Sequence, residues 1–126
     1  MNAAALNAYA APTWWVVCLC AEWCGVCREW RAAFDQAAQS HPELRFVWID
    51  VEDEAEAMGD VDIETFPTLL IARDMSPLFF GPVQPSGSQF ARLISSLLEG
   101  STSSSAISGA AAPLLHRLVA QSLLKQ

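Results

Sequence analysis

The stretch Trp14-Trp15-Val16-Val17-Cys18-Leu19-Cys20-Ala21-Glu22-Trp23-Cys24-Gly25-Val26-Cys27 joins a strand signal directly to a helix start. Residues 14–20 are aromatic, β-branched or otherwise apolar on both alternating faces, which predicts a central strand covered on both sides. From Cys24 to about residue 39 the period changes. Val26, Trp30, Ala33, Phe34 and Ala37 recur at three- and four-residue spacing with Arg28, Glu29, Arg31 and Asp35 between them, which predicts a helix. His41-Pro42 ends it.

Outward from this centre, residues 45–51 read as a second strand, with Phe46-Val47-Trp48-Ile49 as its apolar part. Residues 52–58 predict a short acidic helix stopped by Gly59, and residues 68–72 a third strand. Arg73-Asp74-Met75-Ser76 is a hairpin turn into a fourth strand, 77–80, closed by Gly81-Pro82. Residues 88–99 predict an amphipathic helix with Phe90, Leu93, Ile94, Leu97 and Leu98 on its apolar side and Ser86 as N-cap. This order predicts a mixed α/β sandwich.

The flanks differ in composition. Residues 1–13 are Ala-rich, with a short helix over 3–11 that Pro12 ends. Residues 100–109 are a Ser-rich linker, and 110–124 a last helix with Leu114, Leu115, Leu118, Val119 and Ser122 on one face. The expected organisation is an N-terminal segment 1–13, a domain 14–99, a linker 100–109 and a C-terminal helix within 110–126.

Apolar residues make up 52% of the 126-residue chain and charged residues 17%, enough for one α/β core and not the composition of a disordered chain. The net charge of −7 argues against nucleic acid as the main partner, because phosphate binding relies on clustered Lys and Arg. The run 14–21 is far shorter than the ~20 residues a bilayer span needs, and no basic region precedes it, so neither a membrane nor a secretory signal is expected. The expected compartment is the cytoplasm, where a Cys-x-x-Cys pair is more often catalytic or metal-binding than structural.

Cys24 and Cys27 fit thiol–disulfide exchange. That chemistry needs an accessible thiolate with a second thiol near enough to resolve the mixed disulfide. A helix N-terminus favours negative charge on the first sulfur, and the second lies one turn inward. Cys24 is therefore the expected attacking thiol and Cys27 the resolving one, with no cofactor required.

At this point the sequence resembles the thioredoxin family. Ala21-Glu22-Trp23-Cys24-Gly25-Val26-Cys27 is similar to that family's active-site segment, with Val26 where thioredoxins carry Pro. Thr65-Phe66-Pro67-Thr68-Leu69-Leu70 is similar to its cis-proline segment, and Gly81 to the glycine that follows its last strand. The resemblance implies a three-layer α/β/α sandwich around a mixed four-stranded sheet. It also implies an oxidoreductase acting on protein disulfides and recharged by a dithiol-recycling reductase. Trp23, Gly25, Val26, Thr65, Phe66 and Pro67 would bind substrate, with a cis bond before Pro67 and the Thr65 main chain available to an extended peptide.

The departures from the family are specific. Position 18, where thioredoxins bury an Asp, is Cys18, and Trp48 aligns with the partner Lys. The resolving step would then lack its usual proton acceptor, with Glu22 as an auxiliary candidate, and Val26 points to a less negative reduction potential. Cys18 and Cys20 lie two apart on a strand, so they face the same way and should not bridge each other. They read as small buried hydrophobes, or, for Cys18, as a third thiol beneath Cys27. A metal site built from the four cysteines converges poorly at this spacing, so no metal is expected. The alternative function is a binding or scaffold module without turnover, its cysteines reduced or holding metal. Asp50, Glu52, Asp53, Glu54, Glu56, Asp60, Asp62 and Glu64 read as a solvated acidic face that ends beside the substrate groove, a modest pointer to basic clients. His41 and His116 read as surface residues.

Overall fold

A computed structural model describes residues 12–100 and 107–124. Four strands form one sheet: β1 Trp14–Cys20, β2 Leu44–Asp50, β3 Thr68–Arg73 and β4 Ser76–Pro82. Their spatial order is β2-β1-β3-β4. β1 pairs parallel to β2 and antiparallel to β3, and β3 pairs antiparallel to β4. Six of the seven β1 residues are buried, because this strand has a neighbour on each side and helices on both faces. The sheet is mixed and the layering is α/β/α, as the sequence predicts.

The helices are α1 Gly25–Ser40, α2 Ala55–Met58, α3 Gly87–Leu98 and α4 Ala111–Ala120. Strand alternation sorts β1 between two cores. Trp15, Val17 and Leu19 face α2 and α4, packing with Ala111, Leu114, Leu115 and Leu118. Val16, Cys18 and Cys20 face α1 and α3, packing with Cys27, Trp30, Phe34, Phe90 and Ile94. The cysteines of β1 therefore all point to the face that carries the start of α1.

Several local readings shift. The buried face of α1 is Cys27, Trp30 and Phe34, while Val26 is exposed, because the helix is rotated so that the second cysteine enters the core. The acidic helix shortens to one turn, α2, and residues 52–54 form a turn before it. Gly81 lies within β4 opposite Leu69 rather than after the strand. Val119 and Leu98, expected on the apolar faces of their helices, are exposed. Ser86 caps α3 as expected, accepting a hydrogen bond from the Gln89 amide at 3.3 Å. The expected helix over 3–11 and most of the Ser-rich linker lie outside the described residues.

α4 closes the core it shares with α2 through a polar tie. The Arg117 guanidinium donates to the carbonyls of Ala57 at 2.7 Å and Met58 at 2.9 Å. These are carbonyls at the end of α2, which the helix itself leaves unpaired. Gly59 follows with φ +60°, and a Cβ there would lie 3.0 Å from that guanidinium. The chain thus reverses at a position where both conformation and space favour glycine.

Candidate active site

β1 ends at Cys20, and residues 21–23 carry the chain over the sheet end to Cys24, the N-cap of α1. Three hydrogen bonds fix this crossing. The Cys24 amide donates to the Ala21 carbonyl at 3.0 Å, the Glu22 amide to Asp50 Oδ2 at 2.9 Å, and the Arg28 guanidinium to the Glu22 carbonyl at 2.9 Å. Asp50 is the anchor. Its other oxygen accepts from the amides of Glu52 at 2.8 Å and Asp53 at 3.1 Å. Burial pushes the Asp50 carboxyl up, but the amide donors of Asp53, Glu22 and Glu52 together hold it below the ordinary carboxylate range. In the sequence Asp50 is one member of an acidic run. In the structure it ties the end of β2 to the loop that presents Cys24.

Around Cys24 the expected substrate-binding residues converge from two segments. Trp23 is 62% exposed, and its ring meets that of Phe66 edge-on with centroids 5.8 Å apart. The Phe66–Pro67 peptide bond is cis, Pro67 is buried, and its carbonyl accepts from the Val83 amide at 3.1 Å. The Thr65 carbonyl accepts the Thr68 hydroxyl at 2.6 Å, so one of its lone pairs is already engaged. Gly25 and Val26 are exposed beside Trp23. Glu22 is exposed, with its amide and carbonyl held by Asp50 and Arg28. An open groove next to this collar is lined by Trp23, Phe66, Met58, Glu52, Asp62 and Glu64.

The sulfurs are arranged differently from the pairing read in the sequence. Cys27 is disulfide-bonded to Cys20, with the Cα atoms 5.9 Å apart, and both residues are fully buried. Cys24 is a free thiol of intermediate exposure. The position beneath Cys27 that the sequence reading offered to Cys18 belongs to Cys20, because the strand end, not its middle, lies under the first turn of α1. Cys18 is a free thiol deeper in the core, its Sγ 3.7 Å from that of Cys20 and not bonded to it.

Desolvation pushes the Cys18 thiol up to about 12, against weaker pulls from the Trp30 indole N–H and the Arg31 charge. The indole N–H is itself buried and has no hydrogen-bond partner of good geometry among the described residues. Trp48 stands directly opposite Cys18 in the parallel register, and Arg31 lies over its ring at 4.5 Å. An apolar, stacked arrangement thus occupies the place where a buried ionic pair would otherwise sit. Among the described residues, no group of three or more His, Cys, Asp or Glu is placed to hold a metal ion, and no helix is long and apolar enough to cross a membrane.

Comparison with known proteins agrees with this architecture. The family model for thioredoxin matches residues 4–87. A protein of Streptomyces coelicolor whose name places it among the thioredoxins is 36% identical over 62 residues, 49% of this chain and 46% of its own length. A thioredoxin of Mycoplasmoides gallisepticum is 32% identical over 59 residues, 47% of this chain and 59% of its own length. The matches thus span about half the length of these relatives. Among solved structures, a poplar thioredoxin h superimposes with a TM-score of 0.62 at 22% identity, over 69% of this chain and 78% of that one. Fasciola hepatica thioredoxin gives 0.61 at 23% identity, over 73% and 88%. With the family model covering most of the chain and the fold shared, this chain belongs to the thioredoxin family.

Proposed function

We propose that the protein is a thiol–disulfide oxidoreductase that exchanges disulfides with protein substrates through a mixed disulfide at Cys24. The observation that carries this reading is the position of Cys24. It caps α1, it is the more exposed of the two free thiols, and Cys27 follows it within the first helical turn. The Cys24 thiolate attacks a client disulfide, forming a Cys24–client bond and releasing one client thiolate. The Cys27 thiolate then attacks Cys24, releasing the second client thiolate and leaving Cys24 and Cys27 joined.

Trp23, Gly25, Val26, Thr65, Phe66 and Pro67 form the surface that receives the client segment. Glu52, Asp62 and Glu64 on the adjoining groove favour basic residues near the client's disulfide. A dithiol reductase recharges the pair, and the cytoplasm is the compartment in which such a dithiol is kept reduced.

The test is capture and turnover together. Cys27→Ser is expected to accumulate client mixed disulfides at Cys24, and the unsubstituted protein to reduce insulin disulfides with dithiothreitol as electron source. Cys24→Ser should abolish both. No captured client and no insulin reduction by the unsubstituted protein would assign the fold to binding without turnover.

A further inference from the structure

The sequence reading leaves Cys20 as a small buried hydrophobe, yet the structure seats it against Cys27. We propose that Cys20 is a second disulfide partner for Cys27, so that the oxidised protein stores its disulfide inside the core and keeps Cys24 as a free surface thiol. This rests on the dithiol exchange proposed above and adds a residue to it.

Three observations support the assignment. Cys20 is the last residue of β1 and Cys27 lies in the first turn of α1, and their Cα separation of 5.9 Å is within the range a disulfide spans without backbone movement. The two residues are fully buried in one cluster, and Cys24 packs against that same cluster from its rim. Cys27 thus has one cysteine on its solvent side and another on its core side. Cys18 presents its S–H toward the Cys20 sulfur at 3.7 Å, a donor for that sulfur when it carries charge.

The step balances as an exchange within the chain. After client reduction, Cys24 and Cys27 share a disulfide. The Cys20 thiol gives up its proton and its sulfur attacks Cys27, so the Cys20–Cys27 bond forms and the Cys24–Cys27 bond breaks. Cys24 leaves as a thiolate and takes up the proton. No electron enters or leaves, since one disulfide and one thiol are present before and after. In the reverse direction Cys24 attacks Cys27 and restores the surface disulfide. Because neither Cys20 nor Cys27 is exposed, an external reductant reaches the stored disulfide only by way of Cys24.

The test uses the full chain oxidised by insulin disulfides, separated, alkylated under native conditions and mapped by peptide mass. The expected result is a Cys20–Cys27 link with the alkyl label on Cys24. In Cys20→Ala the link should move to Cys24–Cys27 and the label on Cys24 should be lost. Should Cys20→Ala fail to fold, the link in the unsubstituted chain decides alone. Cys24–Cys27 as the only link there overturns the relay and leaves the dithiol exchange standing. Insulin left unreduced, with no disulfide formed at Cys27, overturns both.

Discussion

Cys18 shows how burial turns a reactive residue type into an inert one. Its thiol is fully buried among apolar and aromatic side chains, and desolvation raises it from 9.0 to about 12. The folded state therefore keeps a proton that the unfolded chain releases. Stability from this source is complete below pH 9 and is lost as pH rises through about 12. In denaturation of the oxidised protein across this range, Cys18→Ala should flatten the alkaline decline by up to about 1.4 kcal/mol per pH unit. An unchanged slope would show that Cys18 titrates like an exposed thiol. Asp50 has the opposite sign. Its folded carboxyl is held low, so its contribution is present above about pH 4 and is lost as pH falls through the lower folded value. Asp50→Ala removes the acceptor for three amides and should cost about 1–3 kcal/mol, read by urea denaturation near neutral pH. Asp50→Asn should retain part of that stability and lose its acid dependence. A cost near zero for Asp50→Ala would mean that the loop before Cys24 holds without it.

At the scale of elements, the caps and ties were unequally visible. Ser86 followed by an amphipathic run signals a helix start, and its hydroxyl does accept the Gln89 amide. Ser86→Ala should destabilise the fold by about 1 kcal/mol, with Ser86→Gly closer to neutral, both measured by thermal melting. The start of α1 is different, since Cys24 caps it without a side-chain hydrogen bond to the helix. Its placement depends on Asp50 at the end of β2 and on Arg28 within α1 itself, which hold the two polar groups of the Glu22 backbone. The rotation of α1 was also hard to read, because Val26, Trp30, Ala33 and Phe34 satisfy a helical period as well as Cys27, Trp30 and Phe34 do. Trp30 and Phe34 belong to both sets and pack against Phe46, Trp48 and Phe90, so the difference lies in Cys27, which is buried against Cys20 at the end of β1 while Val26 is exposed.

Among the described residues, two cores lie on opposite faces of one sheet, and α4 completes the one that also holds α2. Leu114, Leu115 and Leu118 are fully buried with Trp15, Val17 and Leu19. Leu115→Ala should therefore cost about 2–5 kcal/mol in urea denaturation, as a central core residue would, and a cost below 1 kcal/mol would mean that α4 packs loosely. The sequence by itself determined the strand and helix order, the central place of β1 and the positions of Cys24, Cys27 and Pro67. Those follow from local periodicity, from apolar residues on both faces and from a proline where a cis bond forms. Tertiary structure decided which cysteine lies under Cys27, that Asp50 holds the crossing from β1 to α1, and that α4 covers the sheet face beside α2. Each of these joins residues brought together by where a strand ends beneath a helix or where a helix returns to the sheet. Spacing along the chain cannot specify that meeting, because it is set by how side chains fill the space between layers.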